Sequence, residues 1–367
     1  MFDRRLVMNF DWSLLATAVL ISALGVVNIY SSTYPHPPGV TPLFVKQIYW
    51  LALGFGFLFF TLAFDYRTFI RYGYPFYVCC LLLLILVMVI GRTTSGSQRW
   101  LPLGFISFQP SELAKLGLIL VLARFFTERE DAQGYDLRNL AIPFLLLALP
   151  ALLVFKQPDL GTMVLLGLIF ISILAFMGVH RRAWITLAIA CAVAAPIAWH
   201  FLKDYQKTRL RIFLDPGLDP LKTGYHITQS KIAVGSGGFW GKGFLHGTQS
   251  QLRFLPEQHT DFVFSVWAEE WGFVGSFVLL FLLLLLLSRG LKIASTSKDR
   301  GGAILAIGLS AMIFWQAFIN IGMVVGILPV VGVPLPLFSY GGTSLITTLI
   351  GIGILMNISM RRFMLGP

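Results

Sequence analysis

HTDFVFSVWAEEWGFVGSFVLLFLLLLLLSR, His259 to Arg289, decides the fold. Apart from Glu269 and Glu270, everything from Phe262 to Ser288 is apolar or small. Such a run is long enough to cross the ~30 Å hydrocarbon core of a bilayer as a helix. Removing an ionised side chain from water is costly unless it is paired or hydrogen-bonded. The carboxylates at the entrance to the run and inside it, Glu257, Asp261, Glu269 and Glu270, each need a compensating partner or a task.

The rest of the chain is of the same kind. Over 367 residues, 56% are hydrophobic and 12% charged, and the mean hydropathy is +0.77. That is too apolar for an ordinary soluble domain, so the chain reads as a single integral membrane domain, 1–367. Its formal charge of +11 does not point to nucleic acid. The basic residues are scattered in twos and threes between apolar runs, with no basic face or recognition motif. Cys79, Cys80 and Cys191 lie inside apolar runs without metal-site or disulfide spacing.

Apolar runs fall near 12–31, 44–64, 74–91, 111–127, 139–155, 160–178, 183–202, 262–288, 301–327 and 343–360. The spacing predicts an all-α protein of ten transmembrane helices, the first retained rather than cleaved as a signal peptide. With a cytoplasmic N-terminus, the inner segments hold Arg4, Arg5, Arg67, Arg71, Arg129, Arg138, Arg181, Arg182, Arg289, Lys292, Lys298, Arg300, Arg361 and Arg362. The short outer loops hold only Arg92, Arg99 and Lys156. This asymmetry puts both termini in the cytoplasm.

The segment 203–261, between the seventh and eighth runs, then becomes one large extracytoplasmic loop. It carries eight Lys or Arg against five Asp or Glu. Long translocated loops are largely exempt from the charge rule. This one is too short and glycine-rich to be a catalytic domain alone, so an active site would be shared with the neighbouring helix ends.

On this topology four helices start at the outer face, with FQPSELAK (108–115), KQPDLGT (156–162), HTDF (259–262) and SYGGTS (339–344). Helix N-termini present unpaired N–H groups that suit an anion such as phosphate. Glu112 and Asp159 are equally suited to plain first-turn or capping roles. Lys115, one turn after Glu112, makes either a buried ion pair or a polar tooth in a cavity. Arg209 and Arg211 read as anion contacts or as snorkelling side chains. GSGGFWGKG (235–243) fails as a phosphate loop, because Ser236 stands where a glycine is required and Gly243 where Ser or Thr is required. Its glycines suit tight turns or close backbone approach, with Lys242 a candidate anion contact. Asp261 is either an N-cap or, partly desolvated beside a basic loop, a general base. Glu269 and Glu270 lie about 12 Å deeper by helical rise, which gives them bundle-facing roles.

Five long stretches carry a family resemblance: SGSQRWLPLGFISFQPSELAK, KQPDLGT, GYHITQSKIAVGSGGFWGKGFLHGTQ, FLPEQHTDFVFSVWAEEWGFVG and NIGMVVGILPVVGVPLPLFSYGGTS. In this order and over nearly the whole chain they resemble the SEDS proteins of bacterial shape, elongation, division and sporulation, the elongation branch more than the division branch. His226 in GYHITQS is a position where many relatives carry another polar residue.

The resemblance implies a ten-helix peptidoglycan glycosyltransferase of the bacterial cytoplasmic (inner) membrane, polymerising lipid II at the outer leaflet. Its partners would be a class B penicillin-binding protein transpeptidase and other membrane proteins of the elongation complex. It assigns the essential aspartate to Asp261 and polar cavity roles to Arg99, Glu112, Lys115 and Asp159. The chemistry agrees. Joining an α-linked diphosphate donor to a sugar hydroxyl with a β-1,4 bond is an inverting displacement. It needs a base and positive charge at the leaving diphosphate, for which Lys115, Arg99, Arg209, Arg211 and Lys242 are candidates. A divalent cation can serve the same end. A flippase would show inverted repeats or midplane polar residues from several helices, and a scaffold would need no carboxylate beside a basic loop.

Overall fold

The computed structural model describes residues 9–35, 41–94, 97–103, 106–129, 135–201, 204–215, 223–252, 254–255 and 257–362. Each apolar run lies on a helix. The first seven runs correspond to α1 (Trp12–Ser32), α2 (Leu43–Ala63), α4 (Gly73–Ile90), α5 (Pro110–Glu128), α6 (Ala141–Lys156), α7 (Leu160–Phe176) and α8 (Arg181–Phe201), with a short α3 (Tyr66–Arg71) between α2 and α4. The basic segment is partly helical, with α9 (Asp204–Leu214), α10 (Thr223–Ser236) and α11 (Thr248–Gln251). α12 (Val263–Ser295), α13 (Arg300–Val324) and α14 (Gly342–Arg361) complete the chain.

Helix starts follow local chemistry. Asp11, Asp65, Asp159 and Asp299 accept hydrogen bonds from first-turn amides of α1, α3, α7 and α13. Pro110 opens α5, where its missing N–H costs nothing. α1, α2, α4, α12, α13 and α14 are each long and apolar enough to cross a bilayer, whereas α6 and α7 are apolar but shorter. α5 carries Glu112, Lys115, Arg124 and Glu128, which makes it the weakest apolar run.

The all-helical expectation needs one correction. Between α4 and α5 the chain forms an antiparallel meander of β1 (Arg92–Thr94), β2 (Ser97–Leu103) and β3 (Ile106–Phe108). Thr93, Thr94, Trp100, Ile106 and Phe108 favour strands, and the pieces are too short for helix, so cross-strand pairing is how this connection satisfies its backbone.

Polarity is inverted relative to a soluble protein. Phe59, Phe60, Leu82, Val89, Leu145 and Leu284 are exposed, while Glu112, Lys115, Asp159, Glu269, Glu270 and Asn320 are buried. Apolar side chains on the outside and polar ones inside are what a lipid solvent selects. The bundle is a multi-pass membrane domain.

α12 is broken. Gly272 has φ 62° and ψ −156°, which no helix contains. Main-chain groups freed at the break are taken up by the glycine-rich segment after α10. Lys242 N donates to Glu269 O (3.0 Å) and Gly243 N to Glu270 O (3.0 Å), while Phe273 N donates to Gly238 O (2.9 Å) and Val274 N to Phe239 O (3.2 Å). A Cβ on Gly241 would lie 2.1 Å from Glu270 O, and one on Gly272 2.3 Å from Gly241 N. The glycines are therefore there for backbone contact.

This gives a test. Gly241→Ala should lower the melting temperature in detergent, with a cost of about 1–3 kcal/mol from overpacking alone. Gly238→Ala, which has positive φ but nothing within 4 Å of the new methyl, should cost less. Equal losses would mean that φ, not backbone approach, sets the requirement.

The break also corrects the depth read from helical rise. Asn28 Nδ2 donates to Val263 O (2.8 Å), and the Ser31 hydroxyl donates to the Glu270 carboxylate. Moving from Val263 to Glu270 thus moves toward the C-terminal end of α1. The first half of α12 does not carry Glu269 and Glu270 some 12 Å below Asp261, because a rise-based depth assumes a helix running along the bundle without interruption.

Candidate active site

Asp261 stands just before α12, whose N-cap is Phe262 with no side-chain capping bond. Its own main chain is clamped. Asn320 Nδ2, on α13, donates to Asp261 O (3.0 Å) and to Val333 O (2.8 Å). Ser339 Oγ donates to Thr260 O (2.7 Å) while accepting from Leu335 N (2.8 Å), and Tyr340 N donates to His259 O (2.9 Å). These bonds fix the carboxylate while leaving its oxygens out of the helix start.

The Asp261 side chain faces Gly332, where a Cβ would come within 3.3 Å of Oδ2. Burial pushes its pKa up to about 6, with Glu257 and then Asp159 adding to the rise and Arg209 and Arg99 opposing it. Burial likewise lowers the His259 imidazole.

Asp159 is the cap of α7, accepting from Thr162 N (3.1 Å) and Thr162 Oγ1 (2.9 Å). It also pairs with Arg99 Nη1 at 3.5 Å, while Arg99 Nη2 donates to Pro158 O (2.7 Å). Strand β2 thus holds Arg99 over the start of α7. Arg209 reaches in from α9, donating to Val330 O (3.4 Å), beside a cavity of about 30 Å³ lined also by Gln206, Pro329 and Val331.

Glu112 and Lys115 form a buried pair at 2.8 Å, with side chains 4% and 1% exposed. Glu112 makes no capping bond. Gln109 N, at the start of α5, donates to Thr343 Oγ1 (3.3 Å) in the first turn of α14. The four N-termini therefore converge. α5 touches α14, the segment before α14 holds His259 and Thr260, and α7 brings Asp159 into the field of Asp261.

Two candidates lie apart from this group. Arg211 is exposed, since two helical residues after Arg209 points to another side. Lys242 Nζ is held by Glu269 Oε1 (2.7 Å) and Thr248 Oγ1 (2.8 Å). Glu269 also accepts from Gln249 N (3.0 Å), so its task is to fasten the segment between α10 and α12 to the first half of α12. Glu257 is exposed and accepts from the Thr260 hydroxyl.

Sequence reasoning missed Asn320 and Gly332, and read Ser339 only as part of a helix start rather than as a clamp on Thr260. A polar Asn320 inside an apolar run was the available signal. Among the described residues no three His, Cys, Asp or Glu side chains group as metal ligands. The positive charge placed beside Asp261 is that of Arg99 and Arg209.

The family model for the cell cycle proteins FtsW, RodA and SpoVE matches residues 11–363. The chain belongs to this family. The peptidoglycan glycosyltransferase MrdB of Escherichia coli K12 is 51% identical over 290 residues, covering 79% of this chain and 78% of that protein. The peptidoglycan glycosyltransferase RodA of Treponema pallidum is 34% identical, covering 97% and 99%. Among solved structures, a chain of a peptidoglycan synthase complex that coordinates polymerisation and crosslinking superposes with TM-score 0.84 at 37% identity, covering 96% of this chain and 98% of its own. Thermus thermophilus RodA superposes with TM-score 0.72 at 33% identity, covering 97% and 98%. The SEDS resemblance carried by the five motifs is thus a family membership extending over nearly the whole chain.

Proposed function

We propose that this protein is a peptidoglycan glycosyltransferase that polymerises lipid II into β-1,4-linked strands during cell elongation, with Asp261 as general base. The observation that carries the assignment of the base is the Asp261 carboxyl. It is clamped through its main chain, unspent on capping, raised toward neutrality by burial, and flanked by Arg99 and Arg209. A base works best with a pKa near the operating pH.

The acceptor sugar hydroxyl attacks the anomeric carbon of the donor, and its proton passes to Asp261 as the bond to the diphosphate breaks. Negative charge then grows on the leaving diphosphate. Arg99 and Arg209 are the candidates to meet it, together with the first-turn amides of α5, α12 and α14, whose N-caps make no side-chain bond, and Lys115, paired with Glu112 one turn into α5, is a further candidate. Asp159 keeps Arg99 in place. Arg211 and Lys242 stand outside this set in our reading, Lys242 as a positioning residue through Glu269.

The ten-span topology, with both termini in the cytoplasm and the site facing outward, is supported by the ten apolar runs and the distribution of basic residues between them. A class B penicillin-binding protein as partner is supported by the synthase complex in which a relative is found.

The test is polymerisation of lipid II by purified protein, with and without the transpeptidase, as a function of pH. Asp261 must be a carboxylate to accept a proton. Activity should therefore hold above pH 6, halve near it and fall about tenfold per unit below. A rate that stays flat down to pH 4.5 would remove Asp261 from the role.

A further inference from the structure

At the break in α12 the glycine-rich segment ends in a tip that does not fold inward. Trp240 is 78% exposed and Phe239 57%. Phe239 stacks on Phe273 at 5.7 Å and Trp240 stands edge-on to Phe239 at 5.1 Å, while Phe273 stacks on Phe277 at 6.3 Å. The same helix face continues through Phe281 and Leu284, both exposed. Two main-chain bonds, Phe273 N to Gly238 O and Val274 N to Phe239 O, lock the tip to the helix.

We propose that this aromatic tip is a lipid-interface anchor. Phe239 and Trp240 sit at the boundary between headgroups and acyl chains, and their partner is the bilayer itself.

Two features favour lipid over a protein partner. The tip is continuous with the exposed apolar face of the long half of α12, which alone is 23 residues, 273–295, or about 34 Å, enough to span the hydrocarbon core. The surface also grades in one direction. Lys242 and Thr248 lie on one side of the tip, then come the aromatic rings, then aliphatic side chains along the helix. Polar, aromatic and aliphatic zones in that order match the depth profile of a membrane, with Trp at its interfacial level. A protein partner imposes no such gradient.

The consequence for catalysis rests on the polymerase reading. Glu269 and Glu270 bind the tip segment to the half-helix that begins beside Asp261. An anchored tip therefore fixes the height of the base relative to lipid-linked diphosphates.

The experiment needs no turnover, so its failure is separate from failure of the polymerase reading. Full-length protein with Cys79, Cys80 and Cys191 replaced would carry a nitroxide at Trp240→Cys, Phe277→Cys or the exposed Glu257→Cys in phosphatidylglycerol-containing nanodiscs. At 240, collisions with oxygen should exceed those with a water-soluble nickel chelate, giving a depth between the acyl-chain label at 277 and the aqueous label at 257. Nickel collisions dominating at 240 would place the tip in water. Low collision rates with both reagents would mean that protein covers it. Either result overturns the proposal.

If the labelled protein does not insert, native fluorescence reads the same contact. Lipids brominated near the head of the acyl chain should quench the wild type more than Trp240→Tyr. Equal quenching overturns the anchor.

Discussion

Asp261→Asn should abolish glycan polymerisation, by 10²-fold or more given the usual contribution of a positioned base (about 10²–10⁴), with no loss of thermal stability. The structure separates the two roles that an aspartate at a helix start can play. The N-cap of α12 is Phe262 and no side chain caps it, so the amide leaves the helix start as it was. The clamp from Asn320 acts on the main-chain oxygen of residue 261 and also survives. Removing a carboxylate that burial already disfavours adds no folding penalty at neutral pH.

Asp261→Glu keeps a base but lengthens it toward Gly332, and should also lose most of the rate. The measurements are lipid II polymerisation in detergent, free of other glycosyltransferases, and a melting curve. An Asn variant that polymerises at the wild-type rate would take Asp261 out of the role of base.

The second large effect is expected at Lys115. Its side chain is 1% exposed and paired with Glu112, so Lys115→Met leaves a buried carboxylate without its cation. Breaking such a pair from one side costs about 3–5 kcal/mol, whereas removing both charges is often neutral. Lys115→Met should therefore lose activity and stability together, and Glu112→Gln with Lys115→Met should regain the melting temperature. What the double variant does in the polymerisation assay decides the matter. Restored folding without activity makes Lys115 a diphosphate contact. Restored folding with full activity makes the pair a structural strut and takes Lys115 out of the mechanism.

Much of the architecture was legible because lipid leaves few choices. In hydrocarbon every main-chain group must be paired within its own segment, so an apolar run has to be a helix, and all ten runs are. The connection 92–108 lies under no such constraint, and its strands escaped notice. The site was legible as residue types at helix starts, since Asp159, Arg99 and Arg209 do gather around Asp261.

What could not be read was which carboxylate Arg99 and Lys242 would choose. Lys242 stands in the glycine-rich segment, yet its partner Glu269 lies in the first half of α12, before the break. The separation of Arg209 from Arg211 was readable from helical spacing. The depth of Glu270 was not, because a single glycine redirects everything before it.

That glycine has a mechanical consequence. A continuous 33-residue α12 would behave as one rod, and a thinner or thicker bilayer would tilt it, swinging its upper end through an arc. Divided at Gly272, the first piece is pinned to α1, α13 and the segment before α14, and the 237–243 segment ties it to the second by main-chain bonds on both sides of the glycine. The break is thus braced rather than free: α12 changes direction at a fixed angle, and the residues of its first piece keep the frame set by α1 and α13.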